Sequence, residues 1–140
     1  MLLFLYGTGT RIGETIRLRL ADVDLDNAMV TVRGTKFYKS RFVPLGRDVV
    51  RLLRDYLTTP GRWNQHYMLL FQTRRHEAVS HRLIETAFQR LRTLAGVRRR
   101  DAGSRQPRLH DLRHTFAVHR LTDWYRTGAD VQKLLPSLST

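Results

Sequence analysis

The sequence predicts one mainly helical domain (α+β) carrying a small antiparallel sheet. Three observations lead there. Apolar residues recur at helical spacing in several separate segments. A single stretch around residues 28–46 alternates apolar and polar residues on either side of turn-forming ones. Finally, 140 residues with 41% hydrophobic content suffice for one compact core and are too few to expect two.

In chain order, MLLFLYGTG reads as the last turns of an apolar helix that stops at Gly7 and Gly9, with no capping residue before it, so the sequence reads as beginning in mid-helix. TRIGETIRLRL places Ile12, Ile16 and Leu20 at i, i+4 and i+8, which predicts an amphipathic helix headed by Arg11, with Glu14 one turn later. The acidic ADVDLDN reads as a loop. AMVTVRG then alternates, GTKFYK carries turn and basic residues, and SRFVPLG is apolar again until Pro44 ends it. That is a β-hairpin or small sheet with Lys36 near its turn. RDVVRLLRDYL (47–57) returns to helical spacing and stops at Pro60. YMLLF (67–71) is a short buried strand or helix, which periodicity does not separate. HRLIETAFQRLRTLAGV (81–97) is amphipathic, with Leu83, Ala87, Leu91 and Leu94 along one face, and ends at Gly96. RRRDAGSRQPR (98–108) has five arginines and no apolar period, so it is a surface loop. A helix runs from His110 to about Trp124, breaks at Gly128, and DVQKLLPSLS begins another.

Basic residues outnumber acidic ones by 25 to 12, and only Lys36, Lys39 and Lys133 are lysines. A net charge of +13 favours a polyanionic partner such as nucleic acid, and arginine forks match phosphate oxygens in a bidentate way that lysine cannot. Codon usage could produce the same arginine skew. The absence of cysteine removes disulfides, thiolate metal sites and thiol nucleophiles. No apolar run reaches membrane-spanning length, and MLLFLY is too short and lacks the basic leader of a secretion signal. A soluble cytoplasmic protein with no membrane partner is expected.

RLHDLRHTF (108–116) gathers His110, Arg113 and His114 into five positions. Any one of them alone is most simply a surface residue or a satisfied core residue. A zinc site competes, because His110 and His114 are four apart and Asp111 stands where an HExxH motif has its glutamate. Against zinc, that carboxylate is one methylene short, His119 is off the spacing of the longer motif, and Arg113 brings a cation close to the ion.

Three segments taken together are more specific. TGTRIGE (8–14), the hairpin lysine ahead of RFVPLG (41–46), and HDLRHTFA (110–117) occur in that order on helix, hairpin and helix. The ordered set resembles the catalytic domain of the tyrosine recombinases, also called the phage integrase family, and GADVQKLL (128–135) is similar to that family's later turn and helix. The resemblance covers nearly the whole chain. It implies site-specific DNA recombination by phosphodiester transesterification, with double-stranded DNA as partner, no metal or organic cofactor, and full-length recombinase protomers as further partners.

The chemistry gives these residue types a reason. Transesterification at a phosphodiester builds negative charge on the non-bridging oxygens, which fixed guanidinium forks can hold. By resemblance, Arg11 and Arg113 form that clamp, and His110 is a proton-transfer and phosphate-contacting group. Lys36 is the general acid for the leaving 5′-oxygen, with Lys39 the alternative. Glu14 would orient Arg11 through an ion pair, and His114 would support the helix. Arg11, His110 and Arg113 are therefore expected to converge.

The resemblance also predicts a departure. The family's nucleophile is a tyrosine near the domain's end, preceded by an L-G-H or L-G-W motif, and neither motif follows Arg113. The one tyrosine there, Tyr125, precedes the Gly128 turn and reads as a core or helix-packing aromatic. The expectation is a catalytic domain over residues 1–140, lacking both the family's N-terminal DNA-clamping domain and its C-terminal nucleophile segment, and so a monomer inactive alone. A mobile element or prophage is the expected source, and a non-catalytic DNA-binding module is the rival reading.

Overall fold

A computed structural model describes residues 1–34, 40–60, 68–99 and 105–135. Helix α1 (Leu2–Thr8) is followed by the single-turn α2 (Ile12–Thr15), a 3₁₀ turn (Leu20–Asp22), and strands β1 (Val23–Asp24), β2 (Met29–Val32) and β3 (Arg41–Pro44). Helices α3 (Arg47–Thr58), α4 (His81–Leu94), α5 (Asp111–Thr127) and α6 (Val131–Leu134) complete the described elements. The architecture is mainly helical with a three-stranded antiparallel sheet in the order β1-β2-β3.

The hairpin pairs Met29 with Pro44, Val30 with Val43, and Val32 with Arg41. Period-two alternation sends Val30 and Val32 into the core and leaves Phe42 outside. Arg41, in phase with Val43, therefore stands on the sheet's inner face, at the end of the hairpin where the chain passes from β2 to β3. The expected acidic loop is partly strand, because Val23–Asp24 pairs with Met29 and Val30 and places half-buried Val23 against the core.

Two apolar clusters hold the domain. The larger joins Phe4, Leu18, Val30, Val32, Leu45, Val49, Leu53, Leu70 and Phe71, drawing together α1, the sheet, α3 and the segment after residue 68. Residues 68–71 are not helical: Arg19 pairs with Leu69, Leu20 N–H donates to Met68 and Leu70 N–H to Leu18. This pairing shortens the helix expected over Ile12, Ile16 and Leu20. Its backbone leaves the helix after Thr15 because residues 18–20 exchange hydrogen bonds with that segment and bury Leu18. The smaller cluster, Leu5, Ile84 and Leu109, with Ile12, Ile16, Phe88 and Leu112 against it, ties α1, α2, α4 and the start of α5 together.

The apolar face assigned to α4 is not the buried one. Leu83, Leu91 and Leu94 are exposed, Leu94 by 74%, while Ile84 and the half-buried Phe88 dock on the smaller cluster. The true seam lies one residue, or about 100°, round the helix, and Leu5 and Leu109 select it. Tyr125 is likewise not a core aromatic. It is 73% exposed, on a helix that buries no residue fully.

At the α1–α5 contact Gly9 meets two demands. It ends α1 in the left-handed region at φ 64°, and a Cβ there would lie 2.3 Å from the Phe116 ring. The turn that carries Arg11 can therefore lie directly against the helix that carries Arg113.

Candidate phosphate-binding site

The TGTR turn is held from inside. The hydroxyls of Thr8, Thr10 and Thr15, all buried, run in a chain from the Phe4 carbonyl, which Thr8 Oγ1 reaches at 2.7 Å, through Thr8–Thr10 at 2.9 Å and Thr10–Thr15 at 2.8 Å. Thr15 Oγ1 also approaches the Arg11 carbonyl at 3.1 Å. From the other side, an Arg113 Nη donates to the carbonyl of Gly9. Backbone and hydroxyls thus set where Arg11 leaves the turn and tie it to α5.

Arg11 stands just before α2, not within it. Its N–H donates to Glu14 Oε2 at 2.9 Å, and its Nη1 reaches Glu14 Oε1 at 3.1 Å. Glu14 is also gripped by Arg41, which donates to both carboxylate oxygens at 3.0 and 2.8 Å. This bidentate pair is buried: the side chains of Arg41 and Glu14 are 15% and 7% exposed. Burial alone would raise the carboxyl's pKa. The hydrogen bonds and charge of Arg41, with the Arg11 N–H and guanidinium, outweigh it and bring Glu14 from 4.5 to about 2.

Arg113 is half-buried, and its pKa lies below the ordinary arginine value. Burial is the largest cause; the positive charges of Arg11 and Arg41 add to it and Glu14 opposes it. Arg11 and Arg113, about a hundred residues apart in sequence, therefore lie within each other's field. They line one open cleft of about 240 Å³ together with His110, Thr10, Arg108 and the rim residues His81 and Glu85. Three guanidiniums about one carboxylate leave an excess of positive charge, so the cleft suits an anion of phosphate size.

Among the residues singled out in the sequence, Arg11, Glu14, His110 and Arg113 come together. His110 is exposed at the head of α5. Its ring meets the His114 ring edge to face at 5.0 Å between centroids. His114 itself turns away from the first cleft to line a second with Arg99, Arg105 and Arg108. Lys36 and Lys39 lie outside the described residues. Asp111 accepts the Arg108 N–H at 2.8 Å, and among the described residues no three His, Cys, Asp or Glu side chains group as a metal site requires.

The sequence reading passed over Arg41. Its signal was the phase of R-x-V-P-L, which puts an arginine on the same strand face as Val43.

A mainly helical domain with a small antiparallel sheet thus brings arginines from distant segments to one open cleft. The chain belongs to the phage integrase family, whose sequence profile matches residues 1–135. It is 42% identical over 139 residues to y4rB of Sinorhizobium fredii, a protein named as an integrase/recombinase, covering 95% of this chain and 43% of that one. The crystal structure of XerA recombinase superposes with a TM-score of 0.74 at 31% identity, over 91% of this chain and 42% of that chain. XerH site-specific recombinase, bound to its difH substrate in a pre-cleavage complex, matches with a TM-score of 0.70 at 26% identity, over 89% and 35%. The chain thus spans less than half the length of these relatives. Among its described residues, no helix is long and apolar enough to cross a membrane.

Proposed function

We propose that this chain supplies the phosphodiester-holding part of a site-specific DNA recombinase. Arg11 and Arg113 clamp the two non-bridging oxygens of the scissile phosphate and stabilise the charge that builds there during transesterification. His110 contacts the same phosphate and moves a proton, Lys36 protonates the leaving 5′-oxygen, and His114 supports the helix from behind. A tyrosine hydroxyl attacks phosphorus, forming a phosphotyrosyl bond as the bond to the 5′-oxygen breaks. Among the described residues no tyrosine lines the cleft. The partners are double-stranded DNA and full-length recombinase protomers, and the setting is the bacterial cytoplasm.

The observation that carries this reading is the meeting of Arg11, His110 and Arg113 at one cleft. Support also comes from the XerH relative, which is a recombinase bound to its substrate. The test is anisotropy of a labelled duplex titrated with the chain between about 50 and 200 mM salt. Binding is expected to weaken with a log–log slope of about −0.9 for each phosphate neutralised, and Arg113→Ala is expected to flatten that slope by about one contact. Undetectable binding at low salt, or binding indifferent to salt, overturns the proposal.

A further inference from the structure

The R-x-V-P-L arginine has no place in the reading above, yet it makes the most complete ion pair among the described residues. We propose that Arg41 is a positioning residue that saturates the Glu14 carboxylate, so that Arg11 keeps a single side-chain contact with Glu14 and the rest of its guanidinium is left open to a phosphodiester.

A carboxylate offers about four acceptor positions. At Glu14 they are taken by Arg11 N–H, Arg11 Nη1 and the two arms of Arg41, with one Arg41 arm on each oxygen. Arg11 is thereby restricted to one side-chain contact. Its Nε and second Nη meet no acceptor among the described residues, and its side chain is 52% exposed. Without Arg41, two acceptor positions would open beside Arg11 on a buried carboxylate, and a guanidinium fork matches a carboxylate as well as it matches a phosphate. Arg11 and Glu14 would then form a closed neutral pair. With Arg41 in place, the three groups carry one net positive charge, borne on the exposed Arg11. Arg41 is also the first residue of β3, paired with Val32, so this strand is fastened to the clamp through the same carboxylate.

This inference rests on the proposed function for its ligand, so the test has one arm with DNA and one without. The DNA-free arm measures the rate at which phenylglyoxal modifies Arg11, by peptide mass spectrometry, with circular dichroism melts to confirm folding. Arg41→Lys keeps the charge but offers no fork, and is expected to slow modification of Arg11 severalfold; Arg41→Gln is expected to slow it further. The double variant Arg41→Gln, Glu14→Gln removes the capturing carboxylate and is expected to restore the rate. In the duplex arm, binding should follow the same order, falling about tenfold in Arg41→Gln, the loss of one charge-assisted contact, and recovering in the double variant. An Arg41→Lys variant equal to the parent in both arms, or a double variant no more reactive than Arg41→Gln, overturns the role of Arg41. The expected reactivities without duplex binding in the parent would instead overturn the proposed function and leave the role of Arg41 towards Arg11 standing.

Discussion

Glu14 and Asp22 occupy matching positions. Each carboxylate is buried, each accepts at 2.9 Å the N–H of the arginine three residues ahead, Arg11 or Arg19, and each meets an arginine from the end of the hairpin where β2 passes to β3. They differ in what that arginine does. Arg33 gives Asp22 one nitrogen, at 2.6 Å, and is 65% exposed, so the pair is a turn cap with a surface arm. Arg41 gives Glu14 both arms from the inner face of the sheet, and Arg11 adds a third. The same local device, a carboxylate closing its own turn, becomes a hub of charge only where the sheet delivers a buried arginine to it. The difference shows that the ion pair's surroundings, more than its sequence spacing, decide whether it serves stability or a site.

The largest effect expected is from Glu14→Ala, which leaves Arg41 buried beside Arg11 without a counter-charge. Loss of about 3–5 kcal/mol in urea denaturation is predicted, against about 1–2 for Asp22→Ala, which removes a cap and a surface pair. Equal losses would break the comparison.

Acid sharpens it next. The folded pKa of Glu14, about 2, lies below its ordinary 4.5. Its stabilisation is therefore full above pH 4.5 and disappears as pH falls towards 2, on the order of 3 kcal/mol at about 1.4 kcal/mol per pH unit. Denaturation of Glu14→Gln across this range should lack that part of the slope, and an unchanged slope would remove Glu14 from the acid response.

Arg33→Ala is expected to cost under about 1 kcal/mol, an amount that shrinks with added salt, since the pair it breaks is half in water. A larger loss would give Asp22 a buried partner after all. The smallest effect belongs at the far end of α5. Tyr125→Phe should change stability by less than about 0.5 kcal/mol. The 140-residue chain should form no covalent adduct with a nicked duplex, with or without this substitution, whereas an adduct abolished by Tyr125→Phe would make Tyr125 the nucleophile.

Much of the site was legible because its residues sit in short local motifs. TGTR and HDLRH each bring their cations within one turn of a helix, and the Gly9 and Gly128 turns, both left-handed in the structure, are written as glycines. Arg41 was not legible as a partner of Glu14, 27 residues away, because strand phase says which face a residue takes but not what waits there. The face of α4 was misread for a related reason. Its sequence offers two neighbouring apolar stripes, and only the positions of Leu5 and Leu109 choose between them.

By itself the sequence determined the order of helix, hairpin and helix, the excess of arginine, and the family to which these belong, because spacing, turn residues and charge act over a few neighbours at a time. Tertiary structure alone decided that the backbone leaves its helix after Thr15 to pair with residues 68–70, and that Arg41 rather than solvent completes Glu14. It also decided that Arg11 and Arg113 share one field. These outcomes depend on competition between distant partners for the same hydrogen bonds and the same buried space, which no local pattern contains.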